Sequence, residues 1–176
     1  DKIRLRMLIH DAMKYKVPFV YVNQVGGNDD LVFDGNSVVI NAQGRLIAQA
    51  ATFKEDLIVV DIKNPSVQIQ PKNYSDIETV HMALIAGLRD YVTKCGFKKV
   101  VIGLSGGIDS ALTAAVAVES LGNQNVIGVL MPSQFSSQGS IDDAVKLSQN
   151  LGIVYKIIPI QDVFVTYQKT LETEFK

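Results

Sequence analysis

The chain has 176 residues, enough for one domain or two small ones, with 47% apolar and 20% charged residues and a net charge of −1. That balance excludes a disordered chain, and it supplies no basic field that would make nucleic acid the main partner. No apolar run approaches the ~20 residues that span a bilayer, the charged opening "DKIRLRML" does not read as a secretory leader, and a single cysteine forms no internal disulfide, so the expectation is a cytoplasmic protein without a membrane partner.

Lys2 to Tyr15 carries Ile3, Met7, Leu8, Ala12 and Met13 at helical spacing and ends in the basic "KYK", with Pro18 as the stop. "FVYVN" (Phe19–Asn23) predicts a buried strand, and "QVGGNDD" a loop. "NSVVINAQGRLIAQA" predicts a hairpin turning at Asn41 to Gly44, where Gly44 suits positive φ. "DLIVVDI" (Asp56–Ile62) predicts another strand. "KNPSVQIQPKNY" (63–74) has two prolines and no period, and reads as a linker.

Ser75 and Glu78 form a capping box at the start of a helix that runs to Cys95, with Ile77, Val80, Leu84, Ile85, Leu88 and Tyr91 on one face and Gly96 as its stop. A regular alternation follows: strand Lys99–Leu104, helix Ser110–Leu121, strand Val126–Met131, helix Ile141–Leu151, strand Val154–Ile158 and helix Val163–Phe175. Strands alternating with helices mean βαβ units and a parallel sheet. Three such strands make half of a doubly wound domain, and the β-rich first third is too small to close its own core. Each segment, in a chain that opens on Asp1, is expected to be part of something longer.

The first of these βα junctions, "VVIGLSGGIDSALTAAVAV" (100–118), carries the chemistry. A strand, a glycine turn and a helix N-terminus present backbone N–H groups and partial positive charge to an anion. Gly106 and Gly107 admit an oxygen-rich ligand to the backbone, and Ser105 and Ser110 add hydroxyl donors. Asp109 would repel a bound phosphate unless a cation such as Mg²⁺ bridges them. GxxxxGK[ST] is not matched, so the loop is a phosphate loop without the Walker lysine. The plainer reading, a tight capped turn, needs no ligand at all.

"GLSGGIDSAL" resembles the PP-loop of the ATP pyrophosphatases, which split ATP between its α and β phosphates. The longer string "LRDYVTKCGFKKVVIGLSGGIDSALTAAVAVESLGNQNVIGVLMPSQFSS" is similar to the synthetase domain of the glutamine-dependent NAD⁺ synthetase family, and "PFVYVNQVGGNDDLVFDGNSVVINAQGRLIAQA" to the last part of that family's nitrilase-like glutaminase domain. The resemblance implies an α/β fold: the C-terminal part of a nitrilase-like α-β-β-α domain (1–64), a linker (65–74), and the first half of a doubly wound, parallel-sheet ATP pyrophosphatase domain (75–176). It implies ATP, Mg²⁺, nicotinate adenine dinucleotide (deamido-NAD) and glutamine as cofactors and substrates, and a homo-oligomer. The carboxylate of deamido-NAD attacks the α-phosphate, pyrophosphate leaves, and ammonia from glutamine displaces AMP to give NAD⁺.

Carried over residue by residue, Gly103, Leu104, Ser105, Gly106, Gly107, Ile108, Asp109 and Ser110 hold the ATP phosphates, with Asp109 as metal ligand. Met131 lines the adenine pocket, Gln138 contacts the nucleotide, and Lys2 matches a basic position that holds the glutamine carboxylate, although a solvated lysine is the competing reading. The Glu-Lys-Cys triad of the glutaminase is expected upstream, so Cys95 is read as a structural thiol. His10 and His81 read as capping or solvated residues, Asp29 and Asp30 as a solvated turn or a subunit contact, and Arg4 and Arg6 as surface charges. Two alternatives stay open: another PP-loop amidotransferase or thiolating enzyme, and a non-catalytic ATP-binding module.

Overall fold

The computed structural model describes residues 2–63, 68–172 and 174, and the chain divides into two units, Asp1–Asp90 and Tyr91–Lys176. The first holds α1 (Lys2–Tyr15), β1 (Phe19–Tyr21), β2 (Val25–Asn28), β3 (Leu31–Asp34), β4 (Val38–Ile40), β5 (Leu46–Gln49) and most of α2 (Asp76–Lys94). Strands β1, β4 and β5 form an antiparallel sheet in that order. The predicted hairpin is present: Asn41 accepts at its side chain from the N–H groups of Gln43 and Arg45, and Gly44 takes φ 75°.

Helix α1 buries only Leu8 and Ala12 of the set its sequence suggests. Ile3, Met7 and Met13 are exposed, whereas Leu5, Leu8, Ile9 and Ala12 pack on Val38, Ile40 and Leu46. The spacing i, i+3, i+4, i+7 of that second set is itself the signature of a core face. Two apolar stripes compete on this helix, and the one facing the sheet wins. Ile40 is fully buried, a contribution of about 2 kcal/mol.

The expected loop at 24–30 is half of a second hairpin. Strands β2 and β3 pair from Val25↔Asp34 to Asn28↔Leu31, and Asp29 turns with φ 55°. Two glycines argue for a loop on propensity alone. Here they allow close approach to α2: a Cβ on Gly27 would lie 3.3 Å from Gly87 Cα, and one on Gly26 would collide with the Asp90 carboxylate. The Gly27 N–H donates to Asp90 Oδ2 at 2.8 Å. Asp90→Ala removes this charge-assisted bond and should lower stability by about 2 kcal/mol in chemical denaturation.

The predicted strand at Asp56–Ile62 does not form. Leu57 and Val59 are 90% and 95% exposed, and among the described residues no strand edge pairs with this stretch. Arg4 also departs from expectation: it is half-buried, pairs with Asp34 at 2.9 Å and lies 5.0 Å from the centre of the Tyr21 ring. Part of the proposed linker, 64–67, lies outside the described residues. Its second half adheres to β5, with the Ile69 N–H donating to Leu46 O at 2.9 Å and the Lys72 N–H to Gln49 Oε1 at 2.8 Å.

The capping box of α2 closes as its sequence requires. The Ser75 N–H donates to Glu78 Oε2 at 2.8 Å, and the Glu78 N–H donates back to Ser75 Oγ at 3.3 Å. These bonds, first the one from the Ser75 backbone, hold the Glu78 carboxyl below its usual value. A depressed carboxyl stabilises above its unfolded value and loses that stabilisation as pH falls through the folded one. The first turn of α2 should therefore fray on acidification, and Glu78→Gln should remove that acid step from its amide exchange. The expected apolar face of α2 is largely uncovered: Ile77, Val80, Leu84 and Tyr91 are exposed, while Ala86 and Val92 are buried.

The second unit is βα in rhythm: β6 (Val100–Gly103), α3 (Ile108–Leu121), β7 (Val126–Leu130), α4 (Gln138–Leu151), β8 (Val154–Ile157) and α5 (Gln161–Leu171). The sheet is parallel in the order β6-β7-β8. Crossovers that step in one direction place α3 and α4 against each other over the face that carries Val126, Gly128 and Leu130. Small residues, Ala114 and Ala117 on α3 and Ala144 and Ser148 on α4, are buried there. On the opposite face Val101 and Val154 are 67% and 64% exposed. Helices α3 and α4 start at Ile108 and Gln138 rather than Ser110 and Ile141, because Gly107 and Ser137 are their N-caps. Among the described residues no helix is long and apolar enough to cross a membrane.

Candidate functional site

The β6–α3 turn is folded by its own serines. The Ser110 hydroxyl donates to Gly107 O at 3.0 Å, so its oxygen is left to accept. It accepts the Ser105 N–H at 3.3 Å and faces the Ser105 hydroxyl at 3.1 Å, whose proton therefore runs from Ser105 to Ser110. Ser105 Oγ in turn accepts the Gly107 N–H at 3.2 Å. The two hydroxyls expected as donors to a ligand are thus committed within the loop and define its shape.

Gly106 is required by the protein before any ligand is considered. Its φ is 80°, and a Cβ there would lie 2.7 Å from Ser140 Cα and collide with the Ser140 carbonyl, so the turn is pressed against the first turn of α4. Gly107 differs: its φ is −89°, and a Cβ would meet only the Ser105 hydroxyl at 3.3 Å. As N-cap it brings no side-chain cap, and the first bond of α3 runs from Ala111 N–H to Gly107 O. The N–H groups of the first turn of α3 therefore remain available to an anion at the positive end of the helix.

A cavity of about 260 Å³ opens beside this turn, at the carboxyl ends of β6 and β7. Gly103, Leu104, Ser105 and Met131 line it, together with Ser136, Ser140 and others that the sequence did not single out. The Met131 methyl group lies over Gly103, at 3.4 Å from where a Cβ would sit, an ordinary contact. Ser136 and Ser140 carry a signal that could have been found: "SSQGS" is a helix start, with Ser137 as N-cap accepting the Ser140 N–H at 3.1 Å. Residues 106–110 and Gln138 do not line the cavity; Gln138 is on α4 and donates to Asp142 Oδ1 at 2.8 Å along its own helix.

Asp109 is exposed in the first turn of α3. Among the described residues no three His, Cys, Asp or Glu side chains gather to hold a metal. One carboxylate beside an anion loop nevertheless fits Mg²⁺, which takes one or two carboxylates and completes its shell with phosphate oxygens and water. Cys95 is an exposed free thiol beyond the end of α2, and Lys2 is the first residue of α1, with its side chain outside the described residues.

An open parallel α/β unit, with a glycine turn meeting a helix N-terminus at the carboxyl end of the sheet, defines a nucleotide-binding class of fold. The family profile described as NAD synthase matches residues 80–176, and that described as carbon-nitrogen hydrolase matches residues 5–72. The chain belongs to the NAD synthase family. It is 45% identical over 179 residues to the glutamine-dependent NAD(+) synthetase of Synechocystis sp., covering 99% of this chain and 32% of that protein. The Thermotoga maritima enzyme of the same name is 43% identical over 210 residues, covering 98% of this chain and 36% of that protein. The structure of glutamine-dependent NAD+ synthetase from Acinetobacter baumannii in complex with ADP superposes with a TM-score of 0.92 at 38% identity, covering 99% of this chain and 34% of that one. The chain thus spans about a third of the length of these relatives.

Proposed function

We propose that the full-length protein is a glutamine-dependent NAD⁺ synthetase and that this chain contributes its ATP-phosphate loop. The observation that carries the reading is the internally hydrogen-bonded "SGGIDS" turn with an uncapped helix start beside the cavity at the β6 and β7 ends. ATP lies with its base toward Met131 and its phosphates toward residues 103–110, and Gln138 reaches the nucleotide after leaving Asp142. N–H groups of the first turn of α3 receive the pyrophosphate as its charge grows, already oriented and at no cost of rearrangement. Asp109 holds Mg²⁺, which offsets the charge on the phosphates.

The deamido-NAD carboxylate displaces pyrophosphate, and ammonia displaces AMP from the resulting adenylate. The ammonia derives from glutamine in a nitrilase-like domain that ends at residue 64, followed by a linker (65–74) and the synthetase domain from residue 75. Lys2 contributes to the glutamine site. We place the enzyme in the cytoplasm as a homo-oligomer, acting on small molecules rather than nucleic acid or membrane.

The test is direct. Full-length protein incubated with ATP, Mg²⁺, glutamine and deamido-NAD should yield NAD⁺ and pyrophosphate in equal amounts, and absence of both sinks the reading.

A further inference from the structure

The loop after β7, residues 131–137, supplies Met131, Pro132 and Ser136 to the cavity, yet its own tip is exposed. The β8–α5 junction holds that tip through three contacts. The Gln134 N–H donates to Gln161 Oε1 at 2.8 Å, and Gln161 Nε2 donates back to Gln134 Oε1 at 3.3 Å. The Phe135 and Phe164 rings meet edge to face, with centroids 5.4 Å apart at 86°. The Ile160 N–H closes the junction on Pro132 O at 3.0 Å.

Gln161 is the first residue of α5, a position whose side chain could serve its own helix start; Ile160, the N-cap, gives no side-chain cap. The amide is spent on the loop instead. Phe135 is 74% exposed and gains little from burial, so its ring contact is chiefly a matter of orientation.

We propose that Gln161 and Phe164 are positioning residues for nucleotide binding, acting through the 131–137 loop without touching the nucleotide. This rests on the ATP-binding reading above. The clamp sets where Met131 and Ser136 stand relative to Gly103 and Ser105 before ATP arrives. Releasing it frees the loop to sample other positions, and ATP must then select the competent one, which lowers its affinity by the fraction populated.

The test measures ATP binding to the full-length protein by calorimetry, alongside KM for ATP, deamido-NAD and glutamine. Gln161→Leu should weaken ATP binding about fivefold, the factor carried by one net hydrogen bond. KM for the other two substrates and kcat should stay put. Gln161→Glu keeps an acceptor for the Gln134 N–H and should restore most of the affinity. Phe164→Leu should weaken ATP about threefold, on the scale of one aromatic pair. Unchanged ATP affinity in both Gln161→Leu and Phe164→Leu overturns the clamp, as does a parallel rise in all three KM values with a lower melting temperature. Failure of the wild-type protein to bind ATP overturns the ATP reading, and the clamp with it.

Discussion

Asp109→Ala in the full-length enzyme should cut NAD⁺ and pyrophosphate formation at least about a hundredfold, the scale of losing one transition-state charge stabiliser. Glutamine hydrolysis and melting temperature should be preserved, because Asp109 is exposed and the Thr113 hydroxyl bonds only its backbone carbonyl, which alanine keeps. The loss should fall on kcat more than on KM for deamido-NAD, since charge on the leaving pyrophosphate grows only as the bond breaks. Asp109→Asn is the sharper variant. It keeps size and helix-start geometry and removes the charge, so it should behave like Asp109→Ala. Near-normal synthesis by Asp109→Asn would remove the carboxylate from the chemistry.

Gly106→Ala should damage both stability and ATP binding. The added methyl group is forced into left-handed backbone, about 1–2 kcal/mol, and into the backbone of Ser140, a further 1–3 or so. Denaturation should register a loss of about 2–5 kcal/mol. ATP affinity should fall at least about tenfold, because the turn can relieve the clash only by swinging away from α4. Gly107→Ala is the control: its backbone is in a region any residue adopts, and only a rotatable hydroxyl faces the new methyl group. It should cost about 1 kcal/mol or less, as for alanine replacing glycine at an N-cap. Equal behaviour of the two variants would contradict the packing of Gly106 on α4.

These two glycines also show what could be read from the chain alone. Strand–glycine–helix order, the absent Walker lysine and the lone aspartate are local facts, and the βαβ rhythm around them is strong in period. The fold of the second unit was legible for that reason. The site was legible only in outline. Gly106 reads as room for a ligand, but its neighbour is Ser140, distant in sequence, and only folding brings them together. Gln138 and Ser140 sit on the same first turn of α4, yet Ser140 lines the cavity and Gln138 turns to Asp142. The first unit was harder. Gly26 and Gly27 have poor strand propensity, and their hairpin exists because α2 presents Gly87 and Asp90 to them. Leu57 and Val59 have good propensity, and no strand forms for want of an edge. In both cases the partner decided, and the partner is not written in the local sequence.

The serine relay within the β6–α3 turn has a kinetic meaning. Ser105 and Ser110 hold each other and the Gly107 peptide through hydrogen bonds of the turn itself. On the proposed ATP reading, a turn that its own serines shape would not have to fold around a phosphate before association. Each hydroxyl can also swing from its present partner to a phosphate oxygen, one hydrogen bond exchanged for another. On that reading, capture of the phosphates at this turn would resemble a key entering a cut lock with two sprung pins, the two serine hydroxyls.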